Sequence, residues 1–490
     1  MTGPGAATAR RASGWLRAAA SLRATASALA LAMLAARGSD LSQNAPMRDP
    51  AASDGAARAR SADEHGGRHG GEPGGRHGGD SAADDADAAV PVAFAGPHAA
   101  AAAAATAGES GCAFTYIGQA IVDSGTHFAD EALGRVEFGG LSGIDYDHDT
   151  GRYWAISDDR SINGPARFYE LAIDLRRFEQ ANDADGEAIT IVAQHALRDA
   201  RGGTLARRSI DPEAIRRVPG GDLIAWSTEG KRGYFTHGAP LIVLADRQGR
   251  WRRDLPLPAA FVPAGSQGGE SDGDRGVRDN HGFESLAVTP DGARLYAAVE
   301  NALAQDGPPV GAKVSSPSRI IEYDMRRGQP IAQFVYEVEP LPFRPLGPLG
   351  FADNGLVELL ALGDRRFLAL ERSFALGAGM RARLYWVDAR RATDVSAMPA
   401  LKAGAYRPAV KRLVLDLSAL RGRDGAPIWL DNVEGFTLGP PDAATGAPTM
   451  VFVADNNFSW LQATQFIAVA VRDLPALIEG RGKGVCAPGR

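Results

Sequence analysis

Gly282–Asn301 reads GFESLAVTPDGARLYAAVEN. An apolar run from Phe283 to Val288 meets a turn at Thr289-Pro290-Asp291-Gly292. A second apolar run, Leu295 to Val299, ends on Glu300. Short branched and aromatic runs punctuated by Pro, Asp and Gly are strands and turns, so the unit is strand, turn, strand, acid.

The unit recurs on both sides. It appears as GLSGIDYDHDTGRYWAISDD from Gly140 and DPEAIRRVPGGDLIAWSTEG from Asp211. Further along come GLVELLALGDRRFLALERSF from Gly355 and NVEGFTLGPPDAATGAPTMVFVADNN from Asn432. Glu213, Glu284, Glu358 and Glu434 open four of these copies, at separations of 71, 74 and 76. Asp158, Glu229, Glu300 and Glu371 close the second strands at a constant 71, and Asp455 follows after 84. A period of this length marks a repeated supersecondary unit.

Two more strand-like runs follow most copies: FYELAIDL with AITIVAQHAL, PLIVLAD with WRRDLPLP, RIIEYDM with IAQFVYEVE, and RLYWVDA with VKRLVLDL. Four strands per repeat make a propeller blade. The last copy has one clear further strand, FIAVAV, so FTYIGQAIV (Phe114–Val122) at the front is expected to complete it and close the ring. The expectation is an all-β fold, a β-propeller of five four-stranded blades, with six as the alternative.

The ends of the repeat region carry the chain's two cysteines, Cys112 and Cys486. Neither belongs to a C-x-x-C pair. They read either as reduced core residues or as a disulfide tying the domain's ends. An N-terminal strand in the last blade brings them together and favours the disulfide, as does export.

Export is expected from the N-terminus. Arg10, Arg11, Arg17 and Arg23 precede an apolar stretch from Ala26 to Ala36, and no acid occurs before Asp40. This is signal-peptide composition over residues 1–37, with an apolar run too short for a membrane span; the alternative is an Arg/Ala-rich leader without structure. Residues 38–111 lack the branched and aromatic side chains that fill a core, and read as a disordered low-complexity linker. His65, His69, His77 and His98 lie there. They suit a spacer better than a weak metal site. Residues 112–490 are then one propeller domain, periplasmic or secreted, expected to be a monomer. The net charge is −6, from 53 basic and 59 acidic residues, with no basic stripe that would suit nucleic acid.

In a propeller, inner-strand starts and second-strand ends meet at one rim of the central channel. Glu213, Glu284, Glu358 and Glu434 are therefore expected there as catalytic carboxylates. Asp158, Glu229, Glu300, Glu371 and Asp455 are expected beside them as metal ligands. So many carboxylates repel unless neutralised, and Ca²⁺ takes several carboxylate oxygens. Arg160, Lys231, Arg232, Arg372 and Asn456, adjacent in sequence to the acids, are expected to bind substrate. The competing reading is that the repeated polar groups only tie neighbouring blades together. No G-x-S-x-G elbow or H-E-x-x-H motif occurs. Of the histidines in the repeat region only His281 stands beside a repeat start, and there it reads more readily as a hydrogen-bonded loop residue than as a general base.

Taken together, GGLSGIDYD, GRYWAISDDRS, ARFYELAIDL, DPEAI, GFESLAVTPDGARLYAAVEN, VELLALGDRRFLALERSF, DNVEGFTLG, FVADNNFS and TQFIAVAV resemble the phytase-like family, the "esterase-like activity of phytase" family. The resemblance runs from Gly139 to Val471. It implies an exported bacterial β-propeller with phosphatase or esterase activity. The family tends to place Gly after the repeated Glu; here only Glu434 keeps it, and Ala214, Ser285 and Leu359 follow the others. Three functions are in view: a metal-dependent phosphoric ester hydrolase, a carboxylic ester or lactone hydrolase on the same site, and a non-catalytic ligand-binding propeller.

Overall fold

The computed structural model describes residues 112–130, 133–232, 237–263, 275–343, 351–481 and 486–487. The expected leader (1–37) and linker (38–111) lie outside them.

Strand β1 (Phe114–Asp123) leads into a short hairpin, β2 (His127–Asp130) and β3 (Gly134–Glu137). The first blade is β4 (Leu141–Asp147), β5 (Arg152–Ser157), β6 (Arg167–Ile173) and β7 (Ile189–Ala196). The second opens with β8 (Pro212–Arg217) and β9 (Leu223–Thr228). After the two-residue strands β10 (Lys231–Arg232) and β11 (His237–Gly238) it continues with β12 (Leu241–Asp246) and β13 (Trp251–Asp254). The third is β14 (Phe283–Val288), β15 (Arg294–Val299), β16 (Ser316–Asp324) and β17 (Gln329–Val338). The fourth is β18 (Ala352–Gly363), β19 (Arg366–Ala375), β20 (Gly379–Asp388) and β21 (Val410–Asp416). The fifth contains β22 (Asn432–Gly439), β23 (Thr449–Asp455) and β24 (Ala463–Val471), and β1 completes it in the order β1-β24-β23-β22.

Every blade is an antiparallel sheet with its first strand innermost, and the inner strands neighbour one another in the cycle β4, β8, β14, β18, β22 and back to β4. The ring therefore has five blades, not six. Local chemistry sets the hairpins. In the third blade the Thr289 carbonyl accepts from Gly292 N–H, and Gly292 takes φ +68, a conformation that suits a residue without Cβ.

The cores lie between the blades. One apolar cluster fills each seam: Trp154, Ile215 and Trp226 between the first and second blades; Leu244, Phe283 and Tyr323 between the second and third. Tyr296, Phe334 and Phe367 fill the next seam, Leu370, Phe436 and Phe452 the one after, and Tyr153, Val453 and Phe466 the last. A fully buried side chain of this kind contributes about 1.5–3 kcal/mol, so closing the ring secures one further seam that an open array would leave wet on both faces.

Two devices hold the closure. Strand β1 runs antiparallel to β24 from Phe114↔Val471 to Asp123↔Ala463. Buried amides cross-link the pair: Gln465 Nε2 donates to Gln119 Oε1 at 2.6 Å and to the Trp429 carbonyl at 2.8 Å. Outside the strands, Cys112 and Cys486 form a disulfide across 374 residues of chain. Cys486 is also fixed to the outer strand of the fourth blade: its N–H donates to the Val414 carbonyl at 3.1 Å, and its carbonyl accepts from Asp416 N–H at 2.7 Å. The disulfide thus fastens the fifth blade's outermost strand to the fourth blade's edge. No helix among the described residues is long and apolar enough to cross a membrane.

A disulfide that closes so long a loop contributes about 2–5 kcal/mol. Cys112→Ser/Cys486→Ser is expected to lose that amount and to melt well below the oxidised wild type. Equal melting temperatures would show that the strand alone holds the ring.

Candidate functional site: an acidic propeller mouth

Each inner strand begins with an irregularity in its pairing to the second strand: between Leu141 and Gly143, Pro212 and Ile215, Phe283 and Ser285, Leu356 and Glu358, and Val433 and Gly435. A bulge re-aims the side chain it contains. Glu213, Glu284 and Glu434 occupy it in three blades, and Ser142 and Val357 in the other two. The residues one step past the second-strand partner of each bulge's leading residue form a matching set: Asp158, Glu229, Glu300, Arg372 and Asp455. Three of these acids are anchored to the residue before the inner strand. Asp158 N–H donates to the Gly140 carbonyl at 2.7 Å, Glu229 N–H to Asp211 at 3.2 Å, and Glu300 N–H to Gly282 at 2.8 Å.

Two sequence-based placements are corrected here. Glu358 and Glu371 do not join the mouth. In the fourth blade Leu356 pairs with Glu371, where the third blade pairs Phe283 with Val299. The hairpin is one residue shorter, and a one-residue slip turns a side chain to the other face. Arg372 therefore stands where Glu300 stands in the third blade. Glu371 is buried at the seam instead. It accepts from Tyr336 Oη at 2.9 Å and Asn354 Nδ2 at 3.0 Å, and pairs with Lys411 Nζ at 2.6 Å.

Glu358 sits deeper, at the position held elsewhere by Gly143, Ala214, Ser285 and Gly435. These are small because the inner strands crowd there: a Cβ on Gly435 would lie 3.1 Å from the Gly143 Cα. That crowding, not Leu359 or the residue after each Glu as such, is what the near-glycine pattern reflects. Glu358 meets Arg216 from the second blade at 2.8 Å. Arg216 also donates to the Ile144 carbonyl at 2.6 Å and the Leu359 carbonyl at 2.9 Å, so one guanidinium joins three blades inside the channel.

Asn456 is also corrected. It is fully buried, its Oδ1 accepts from Gly140 N–H at 2.9 Å, and its Nδ2 donates to Ser124 at 2.8 Å, which leaves nothing for a substrate. The side chains of Lys231 and Arg232 fall outside the described residues.

Carboxyls that the repeat arithmetic did not single out join those that remain. Asp211 stands just before the second blade's inner strand, and Asp353 is the second residue of the fourth's. Asp211, Glu213 and Glu229 bring carboxylate oxygens within 4.8 Å of one another, as do Glu229, Glu284 and Glu300, so Glu229 belongs to both triads. A third group, His281, Glu300 and Asp353, adjoins them. The cations are few. Arg160 Nη2 lies 2.5 Å from Asp211 Oδ2. Arg372 Nη2 lies 3.1 Å from Glu434 and 3.5 Å from Glu300, with Nη1 3.9 Å from Asp353. His281 Nδ1 lies 2.6 Å from Glu300 Oε2.

The electrostatics follow from this imbalance. Burial first, and then neighbouring carboxylates, push Asp158, Glu213, Glu284 and Asp455 well above the usual range. Glu229 is pushed up to about 7 by burial and by Asp211, and the Glu284 carboxyl shares a hydrogen bond with it. Burial raises Glu434 against the pull of Arg372. Glu300 alone goes down, because His281 and Arg372 outweigh its burial. Among the described residues Glu213 has neither a hydrogen bond nor a cation within ion-pair distance, though it is 6% exposed. The mouth is a set of buried carboxyls, most of them with raised proton affinity.

Residues 136–458 match the model of a family described as "Phytase-like: Esterase-like activity of phytase". An uncharacterized secreted protein of Arthroderma benhamiae is 26% identical over 223 residues, which cover 40% of this chain and 41% of that protein. The match therefore spans about two fifths of that relative. Among solved structures, the Dos1 propeller aligns with 7% identity over 67% of this chain and 68% of its own, at a TM-score of 0.29. The C-terminal WD40 domain of Sif2 aligns with 9% identity over 74% and 99%, at 0.28. The five-bladed fold rests on sheet order and not on these alignments.

Two outcomes follow. Raised carboxyls keep protons that the unfolded chain has released, so their contribution to stability is present at low pH and is lost as pH rises. The window runs from the ordinary 4.5 to about 7 for Glu229 and about 8 for Glu358. In chelator, the melting temperature is expected to fall between pH 5 and pH 8, and less steeply in Glu213→Gln/Glu284→Gln; a flat profile in the wild type would contradict the raised values. Arg216→Met strands Glu358 and should cost about 3 kcal/mol in denaturant titrations, with Glu358→Leu in the same chain recovering most of it. A cost below about 1 kcal/mol would show that the channel pair is dispensable.

Proposed function

The chain belongs to the phytase-like family, and on that premise we propose that it is an exported hydrolase of phosphoric esters that works with a bound divalent cation at the acidic mouth. The observation that carries this is the pair of carboxylate triads sharing Glu229, set beside two arginines on the same rim.

The donor set fits a hard cation. Asp211, Glu213, Glu229 and Glu284 offer only carboxylate oxygens, the ligands Ca²⁺ takes, and among the described residues Glu213 has no hydrogen bond or ion pair to give up. Glu300 is a poorer ligand than the repeat suggested, because His281 holds one oxygen and Arg372 faces the other. Asp158 and Asp455 stand apart from both triads. When bound, the cation would polarise a phosphoryl oxygen and offset its charge.

The remaining groups supply orientation and proton transfer. Arg372 and Arg160 present guanidinium groups whose planar forks suit phosphate oxygens. Glu434 is the base of this proposal. Its Oε1 accepts from Asn432 Nδ2 at 2.8 Å and Arg372 Nη2 at 3.1 Å, which leaves Oε2 to take a proton from an attacking water.

Export is supported by the Arg-rich, apolar N-terminus, by the disulfide and by the secreted relative. In this reading residues 1–37 are removed, residues 38–111 act as a spacer, and the propeller works on a small-molecule ester. The family's description as esterase-like favours a second reading, carboxylic ester or lactone hydrolysis at the same mouth.

Metal-replete protein is expected to carry stoichiometric Ca²⁺ by elemental analysis and to hydrolyse phosphomonoesters, with EDTA abolishing turnover and lowering the melting temperature. Glu229→Gln, which breaks both triads, should lose the metal and at least ~10²-fold in kcat/KM. Turnover of acyl esters or lactones but not phosphoesters would select the second reading. No turnover and no metal would leave a binding propeller.

A further inference from the structure

We propose that Phe458 and Trp460 form the subsite for the organic part of the ester, and that this part is a flat, apolar group, so that the mouth favours aryl esters over small alkyl esters. The inference rests on the phosphoric ester reading above.

Both residues belong to the turn that joins β23 to β24 in the fifth blade, directly after Asp455 of the mouth. The turn is held in a strained shape. Asn457 and Phe458 both take φ +49, a left-handed conformation uncommon for residues with side chains. Two in succession persist only where the surroundings fix them, and such strain gathers at ligand clamps. Here the fixing groups are explicit. Asp455 Oδ1 accepts from Asn457 N–H at 2.7 Å, and Asn456 Oδ1 accepts from Phe458 N–H at 3.1 Å. Ser459 N–H donates to the Asn456 carbonyl at 2.8 Å, and Gln462 N–H to the Ser459 carbonyl at 3.0 Å. Gln462 is tied in turn to Asp431 through Nε2 at 2.9 Å, and its carbonyl accepts from Ser124 Oγ at 2.8 Å. The backbone is therefore bonded on both sides of Trp460, yet the residue is 84% exposed, the most open large apolar side chain among the described residues.

The patch begins at the mouth itself. A Cβ on Gly140 would lie 2.3 Å from Asp158 Oδ1 and 2.5 Å from Phe458 Cε2, so the ring edge and this mouth carboxylate are neighbours. Arg167, which pairs with Asp159 at 2.6 Å, lies 5.9 Å from the centre of the same ring. Asp159 also accepts from Ile162 N–H at 2.7 Å, and Ile162 is exposed as well. The apolar groups of the fifth and first blades thus border one another.

Loop 158–166 spans the change in chemistry. Asp158 stands beside Phe458, and two residues on Arg160 reaches Asp211 of the first carboxylate triad at 2.5 Å. The rim is divided: triads on the second and third blades, aromatic and aliphatic side chains on the fifth and first, and a guanidinium between them. An ester whose phosphoryl group engages Arg160 and the triads has the apolar sector beside it for its organic part. Exposed apolar residues scattered singly are ordinary. These are contiguous with the mouth and sit on a turn whose shape is fixed before anything binds. Phe and Trp offer flat faces that stack on a planar ring, and with two side-chain torsions each they lose little freedom in doing so.

The test titrates full-chain, metal-replete protein by calorimetry with phenylphosphonate and methylphosphonate, which resist hydrolysis. Wild type is expected to bind phenylphosphonate at least ~10-fold more tightly than methylphosphonate. Trp460→Ala should weaken the phenyl compound at least ~5-fold and the methyl compound less than ~2-fold, and Trp460→Phe should recover part of the difference. With phenyl phosphate as substrate, the loss should fall on KM more than on kcat, the mark of a group that binds and does not react. Because Trp460 is exposed, Trp460→Ala should melt with the wild type. Equal weakening of both phosphonates, or of neither, would overturn the subsite and leave the phosphoric ester reading standing. Failure of the wild type to bind either phosphonate would also overturn the subsite, and absence of phenyl phosphate turnover as well would overturn the hydrolase reading with it.

Discussion

The bulge at the start of each inner strand is the constraint on which the mouth depends. Five strands approach one axis so closely that the residue after the bulge has almost no room, hence Gly143, Ala214, Ser285 and Gly435. The bulge breaks the strict alternation of faces and directs one extra side chain per blade toward the opening. Without it, Glu213, Glu284 and Glu434 would compete for space the axis does not have. The fourth blade shows what relaxing the rule requires: Glu358 occupies the crowded position only because Arg216 crosses the channel to meet it.

The same geometry explains why the site is polarised rather than symmetric. Equivalent positions in five blades would place five identical groups in a ring, an arrangement that no single substrate could read. The fourth blade substitutes Arg372 for an acid, and the first substitutes Ser142 for Glu. Carboxylates are thereby concentrated on the second and third blades, and a guanidinium stands between the third and the fifth. Burial, and then repulsion among the acids, raises their proton affinities, while Glu300, hydrogen-bonded to His281 and facing Arg372, is lowered.

Blade number, strands per blade and closure by the N-terminal strand were legible because apolar alternation and turn chemistry repeat with a visible period. The pairing of Cys112 with Cys486 followed from that closure. The acids were legible only up to a one-residue ambiguity. Glu371 recurs 71 residues after Glu300, yet the shorter fourth hairpin puts Arg372 in the equivalent place. Spacing counts residues, whereas function follows the face, and a slip of one reverses the face. Asn456 lay beside an acid in sequence but turned inward to cap a strand start. Arg216 gave no signal, because its reach across the channel exists only once the ring is closed. Asp211 opens the second copy and Asp353 precedes the fourth, at positions where no acid recurs from blade to blade.

The seam between β1 and β24 also sets an order of events. The first strand of the domain has no partner until the last has been made, so it must wait, unpaired, while four and a half blades assemble behind it. Contacts of such long sequence separation form late and slowly. A chain threaded across a membrane from its N-terminus would spend that interval with an exposed strand edge and a free Cys112 thiol. Pairing of β1 with β24 brings Cys112 to Cys486, so oxidation fastens a closure that the strand has already made.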